Sequence, residues 1–303
     1  MGTKLDATLA ILNGLVGDHL VRTNNALATP LSFVHDGAPI AAAALATALD
    51  SSRSRVVVLV HGLMCTETVF RLPDGSDYGT LLERDLGFTS VRVRYNTGVP
   101  IAETGAALAA ALAELHAAWP VPVTEIMPVG FSMGGLVVRA ACHTATLEGQ
   151  PWVRDVHRAV YCGTPHRGAP LERAGRIASR FLRAVPDPYT RLLADIADLR
   201  SGGLRDLGDA DLRHEDRTRP GGLSLRDPRH PVPLLATIDH FLAAGSIDLL
   251  FGDAIVPVAS AIGDACSDEP LPRNHIRVFD GYSHVRLAHD LEVYDQIRRW
   301  CAS

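Results

Sequence analysis

The sequence predicts an α/β protein whose mostly parallel central sheet is flanked by helices, and three features carry that prediction. The run VVVLV at 56–60 is β-branched and uninterrupted, as suits a strand buried on both faces of a parallel sheet. Strand-like and helix-like segments then alternate along most of the chain, which calls for right-handed crossovers between parallel strands. Between one such strand and one such helix lies a turn crowded with glycine, GFSMG at 130–134.

Taken from the start, residues 5–21 place Leu5, Leu9, Leu12, Leu15, Val16 and Leu20 near the 3.6-residue period, so an amphipathic helix packed on the main body is expected. The alanine-rich stretch from Ala38 to Leu49 runs for about 12 residues, short of the roughly 20 that a membrane helix needs. After VVVLV, closed by His61-Gly62, a second strand is expected in TSVRVRYN (89–96). A long helix follows from Glu103 to Trp119 and stops at Pro120. Ile126–Val129 forms the next strand, and a helix begins near Leu136. The segment VHRAVYC (156–162) is a further strand ending in a Gly-Thr-Pro loop.

Residues 171–233 break this alternation. Helical spacing (Ile177, Phe181, Leu182, then Leu192, Leu193, Ile196, Leu199) gives way to a polar segment rich in Asp, Arg and Gly, which marks a cap or lid inserted into one domain spanning 1–303. The sheet pattern resumes at His240–Ile247 and HIRVF (275–279), and a helix at Val293–Trp300 closes the chain.

Composition narrows the function. A chain of 303 residues, 47% hydrophobic and 21% charged, can bury a full-sized core. Its 29 basic and 34 acidic residues give a net charge of -5 with no basic run, which argues against a nucleic-acid partner. Cys65, Cys142, Cys162, Cys266 and Cys301 are odd in number and widely spaced, fitting neither a zinc quartet nor a disulfide framework. They read as reduced thiols. Asp6, Asp18 and His19 interrupt any signal-peptide core, so a cytoplasmic protein without stable membrane insertion is expected. No His-x-x-x-His, Cys-x-x-Cys or Gly-x-Gly-x-x-Gly spacing calls for a metal or cofactor, and none is expected.

The chemistry centres on G-x-S-x-G at Gly130–Gly134, a strand-to-helix turn that holds its serine in a strained conformation with Ser132 exposed at the strand's carboxyl end. A serine hydroxyl is a poor nucleophile near neutral pH. It needs a histidine to take its proton and a carboxylate to orient that histidine. In this chain order both lie downstream. His284 follows the last strand directly, whereas His289 is expected in the closing helix with a packed or solvated role. Asp239, Asp248, Asp253 and Asp264 compete as the acid. Asp253 sits on the loop beyond the His240–Ile247 strand and precedes the apolar Ile255-Val256-Pro257, a position from which it can reach the His284 loop; Asp248 suits a turn cap, and Asp264 a solvated loop. Two backbone N–H groups must receive the oxyanion. Met133, directly after the nucleophile at a helix N-terminus, is one candidate, and Leu63, next to His61-Gly62, is the other. His61 also fits a plain strand-ending turn. His166, in Gly163-Thr164-Pro165-His166, precedes any plausible acid and is read as a loop-shaping or cleft residue.

These motifs resemble those of bacterial lipase and esterase proteins grouped with the PGAP-like (GPI inositol-deacylase-like) α/β-hydrolases. RYNTG (94–98), WPVPV (119–123), GFSMGGLVVR (130–139), CGTPHRGAPLE (162–172), GDAIVPVASA (252–261) and GYSH (281–284) look like that group's landmarks, in the right order. The resemblance implies an α/β-hydrolase fold and an ester hydrolase with Ser132, Asp253 and His284 as its triad. It does not imply GPI chemistry. Phe131 departs from the pattern, since many relatives carry histidine before the nucleophile. The expected substrate is a small-molecule carboxylic ester of short or medium chain. A triacylglycerol lipase, thioesterase, amidase or acyltransferase could use the same residues, and a noncatalytic binding protein could use the same pocket.

Overall fold

The structure, a computed structural model, describes residues 4–49, 53–167, 232, 234–247, 253, 256–262 and 270–302. Helix α1 (Lys4–Arg22) buries Ile11, Leu12, Val16 and Leu20, as its apolar spacing requires, and is kinked at Val16. Strands β1 (Ser32–His35) and β2 (Ala38–Ile40) form an antiparallel hairpin. Its turn places both Asp36 (φ 50°) and Gly37 (φ 79°) in the left-handed region, the geometry that favours Asp-Gly in two-residue hairpins. Helix α2 (Ala42–Ala48) follows. Then come β3 (Arg55–Val60), α3 (Tyr78–Leu86), β4 (Thr89–Arg94), α4 (Ile101–Ala118), β5 (Glu125–Phe131), α5 (Met133–Leu147) and β6 (Arg158–Cys162). The described C-terminal part adds β7 (Asp239–Ser246), a short α6 (Val258–Ala261), β8 (Ile276–Asp280) and α7 (Leu291–Ala302).

The eight described strands form one sheet in the order β2-β1-β4-β3-β5-β6-β7-β8, parallel from β4 through β8. Alternation along β3 divides the core. Val56, Val58 and Val60 face a cluster built with α1, α2, α4 and α5, while Val57 and Leu59 face one built with α3 and α7. Both faces of the central strand are therefore covered, which explains its unbroken apolar run. Because β3, β5, β6, β7 and β8 run parallel, their carboxyl ends meet at one edge, and the loops leaving them converge there.

The strands expected at 56–60, 89–96, 126–129, 156–162, 240–247 and 275–279 are present within a few residues of those bounds, as are the helices at 5–21, 103–119 and 293–300. The stretch from Ala38 to Leu49 is not one run, since the structure divides it into β2 and α2. Helix α3 occupies the crossover between β3 and β4, started by a reciprocal cap between Asp77 and Thr80 and ended by Gly87 at φ 71°. Apart from Val232, the cap expected at 171–233 lies outside the described residues, as do Asp248, Asp264 and Cys266. Among the described residues no helix is long and apolar enough to cross a membrane.

Candidate active site

Strand β5 is buried along its whole length, and the chain passes from it into α5 through Ser132. Ser132 holds φ 53° and ψ −125°, a conformation disfavoured for any residue but glycine and costing about 1–3 kcal/mol. Two constraints maintain it. The Ser132 N–H donates to the Cys162 carbonyl on β6 at 2.8 Å, and the glycines around it allow close backbone approach. A β-carbon on Gly130 would stand 2.5 Å from Gly135 Cα, and one on Gly134 would overlap the carbonyl oxygens of Val60 and His61. Ser132 is only 6% exposed, not open at the strand end as expected. The reason is convergence of loops: Gly62 lies against its β-carbon and the His284 ring against its hydroxyl.

His284 follows β8 after a reversal at Gly281 (φ 77°) and begins a 3-10 turn over Val285–Ala288. That turn is tied to α3, because the Tyr78 hydroxyl lies 3.2 Å from the Leu287 carbonyl and 3.0 Å from that of Asp290. The Tyr282 hydroxyl lies 2.7 Å from the Glu292 carboxylate and 3.1 Å from that of Asp290. The imidazole is thus set on a braced segment. Its Nε2 stands 2.8 Å from Ser132 Oγ, and its Nδ1 stands 2.6 Å from Asp253 Oδ2. Asp253 is itself held, with Oδ1 accepting the Val256 N–H at 2.7 Å and its backbone carbonyl accepting the His284 N–H at 3.2 Å.

The competing residues that are described, Asp239 and His289, fall elsewhere. Asp239 is exposed and opens β7, at the opposite edge of the sheet. His289 ends the 3-10 turn ahead of α7 instead of lying within that helix. Phe131 packs beneath the site, its ring centroid 5.0 Å from that of His284.

Leu63 and Met133 are both buried, Met133 directly after Ser132 and Leu63 directly after Gly62, which lies against Ser132, and among the described residues neither backbone N–H is engaged by an acceptor. The Leu63 segment is constrained on both sides. Met64 holds a left-handed φ of 58° and donates its N–H to Thr97 Oγ1 at 3.1 Å, and the Cys65 N–H donates to the Gly62 carbonyl at 3.2 Å. Helix α1 presses on this segment through Gly14, where a β-carbon would collide with Met64. Sequence reasoning missed Thr97 and α1 as supports, although RYNTG was legible as a landmark.

The neighbouring histidines are neutral. Burial lowers the His61 imidazole to about 4. Burial, and secondarily Arg139, holds His166 well below its ordinary value, and its Nδ1 accepts from the Arg139 guanidinium at 3.2 Å. Arg139, on α5, also donates to the backbone carbonyls of His166 and Val232, fixing the Gly163–His166 loop to the helix that follows the serine. His166 therefore shapes the loop, as its chain position suggested.

No protein-family model matches the chain, and no curated protein sequence matches it. Solved structures do. Lipase BlEst2 of Bacillus licheniformis in its mature form is 18% identical, with 90% of this chain and 98% of that one covered at a TM-score of 0.55. The propeptide form of the same lipase is 17% identical, with 83% and 51% covered at a TM-score of 0.51. At these identities the likeness is one of fold.

Proposed function

The chain has the α/β-hydrolase fold, and on that premise we propose that it is a serine hydrolase that cleaves carboxylic esters, with Ser132, His284 and Asp253 as its triad. The observation that carries the proposal is the continuous relay from Ser132 Oγ through both ring nitrogens of His284 to the buried Asp253 carboxylate. Three side chains from three separate loops meet with hydrogen-bonding geometry at the sheet edge where this fold assembles its sites.

In the proposed reaction, His284 Nε2 takes the hydroxyl proton as Ser132 Oγ attacks the ester carbonyl. Asp253 keeps the other proton on Nδ1 and stabilises the imidazolium. The Leu63 and Met133 N–H groups receive the oxyanion, Met133 with the added field of the α5 N-terminus. The imidazolium protonates the departing alkoxide, leaving an acyl group on Ser132. Water, deprotonated by the same histidine, then releases the acid.

Short- or medium-chain esters remain the proposed substrates. Residues 171–233 are proposed as the cap that selects among them, since the chain leaves β6 at the edge that carries the relay before it returns to enter β7 from the opposite edge. The kinship with the GPI inositol-deacylase-like group rests on motif order alone. A cytoplasmic setting is proposed because the four described cysteines are free thiols.

The test is a fluorophosphonate probe, with the modified residue mapped by mass spectrometry, alongside hydrolysis of a p-nitrophenyl ester. Covalent modification at Ser132 together with turnover supports the proposal. Modification of another serine, or no turnover across ester chain lengths, overturns it.

A further inference from the structure

His61 follows β3 as a fully buried ring whose two nitrogens have unequal surroundings. Nδ1 lies 3.0 Å from the carbonyl oxygen of Gly62. A carbonyl only accepts, so Nδ1 carries the proton and donates. Nε2 is left as an acceptor and meets no hydrogen-bond partner among the described residues. A phenylalanine ring would fill similar space with no unpaired nitrogen, so packing alone does not account for the imidazole. The ring is stacked on Tyr95, with centroids 4.4 Å apart and planes 20° from parallel, and the Tyr95 hydroxyl donates to the His61 carbonyl at 2.7 Å. Burial keeps this imidazole neutral near pH 7, so Nδ1–H is a standing dipole, not a charge.

The Gly62 carbonyl accepts a second N–H, from Cys65 at 3.2 Å. The peptide joining Gly62 to Leu63 is planar and trans, so the Leu63 N–H points opposite to the anchored carbonyl. Gly62 itself lies against the nucleophile, where a β-carbon would stand 2.9 Å from Ser132 Cβ. On the ester-hydrolase reading above, we infer that His61 is a positioning residue: its Nδ1–H anchors the Gly62 carbonyl and thereby aims the Leu63 N–H at the oxyanion that forms beside Ser132. The benefit of a correctly aimed donor is realised only as charge develops on the substrate oxygen. Its loss therefore falls on kcat and leaves KM nearly unchanged.

Substitutions separate this role from simple packing. Asparagine carries its amide nitrogen on Cγ, as histidine carries Nδ1, so H61N keeps a donor near the same point. H61Q moves the donor one bond outward, and H61L removes it. The full-length variants are compared in p-nitrophenyl butyrate hydrolysis, with active sites counted by fluorophosphonate titration and folding checked by circular dichroism. H61L and H61Q are expected to lose about tenfold to a hundredfold in kcat, a part of what deleting an oxyanion donor costs, while H61N stays within about threefold of wild type. Where H61L does not fold, the contrast between H61N and H61Q decides. Wild-type kcat in H61L or H61Q, or an equal loss in all three variants, overturns the inference, as does collapse of all three. A wild-type protein that neither hydrolyses esters nor labels at Ser132 overturns the hydrolase reading and this inference with it, whereas indifferent variants of an active enzyme overturn the inference alone.

Discussion

Asp253 and His284 are joined twice: Oδ2 of the aspartate stands 2.6 Å from Nδ1 of the histidine, and the His284 backbone N–H donates to the Asp253 carbonyl at 3.2 Å. The second bond is independent of the carboxylate. Changing the Asp253 side chain thus alters the ring's protonation without releasing the loop that carries it.

Asp253→Asn is accordingly expected to fold and to lose about three to four orders of magnitude in kcat. An amide N–H facing Nδ1 forces the ring proton onto Nε2, where it opposes the Ser132 hydroxyl. Asp239→Asn, at the far edge of the sheet, should leave kcat within about twofold of wild type by the same assay. Equal losses in the two variants would reassign the acid.

Ser132 offers a stability prediction separate from its chemistry. Ser132→Ala and Ser132→Gly both remove the hydroxyl and should both abolish ester hydrolysis. Only glycine relieves the strain of φ 53°, so Ser132→Gly should be the more stable of the two by about 1 kcal/mol or more in urea unfolding. Equal stabilities would mean that the turn is not strained.

The glycines after the serine differ in what opposes them. A β-carbon on Gly135 would meet the Thr164 side chain, whereas one on Gly134 would meet the carbonyls of Val60 and His61. Gly135→Ala should cost about 1–3 kcal/mol, and adding Thr164→Ala should recover about 1 kcal/mol through coupling of the two sites. Gly134→Ala should gain nothing from Thr164→Ala. A double-mutant cycle by chemical denaturation measures both.

Buried neutral histidines set a pH dependence of folding. Burial lowers His61 and His240 each to about 4, against 6.5 for the free side chain. Between those values the unfolded chain binds protons that the folded one does not, so stability falls as pH falls from about 6.5 toward 4. Above 6.5 these groups contribute no slope. Urea unfolding at pH 7.5, 6 and 4.5 should show a progressive loss, and His240→Phe should flatten part of it. A profile unchanged by that substitution would remove His240 from the account.

Most of the sheet was legible because its strands are local signals. VVVLV declares two-sided burial through composition alone, and GFSMG declares a tight strand-to-helix turn because only glycine tolerates such close backbone contact. The hairpin of β1 and β2 was overlooked although Asp36-Gly37 carries its turn signature, since the short strands on either side lack a strong alternating pattern. Helix α3 was overlooked although Asp77 and Thr80 cap it, because its nine residues were read as part of a crossover.

By itself the sequence determined the order of the main parallel strands and their flanking helices, the candidate nucleophile and the residues available to serve it, since these depend on periodicity and on which side chains can ionise or attack. Tertiary structure decided which groups meet. Ser132 and His284 are 152 positions apart, and their 2.8 Å contact exists because parallel strands deliver their carboxyl ends to one edge. The burial of Ser132, the tautomer of His61 and the bracing of Leu63 by Thr97 and α1 were likewise beyond local pattern. Each depends on atoms brought together from distant segments, and the free energy of such a contact has no counterpart in the spacing of residues along the chain.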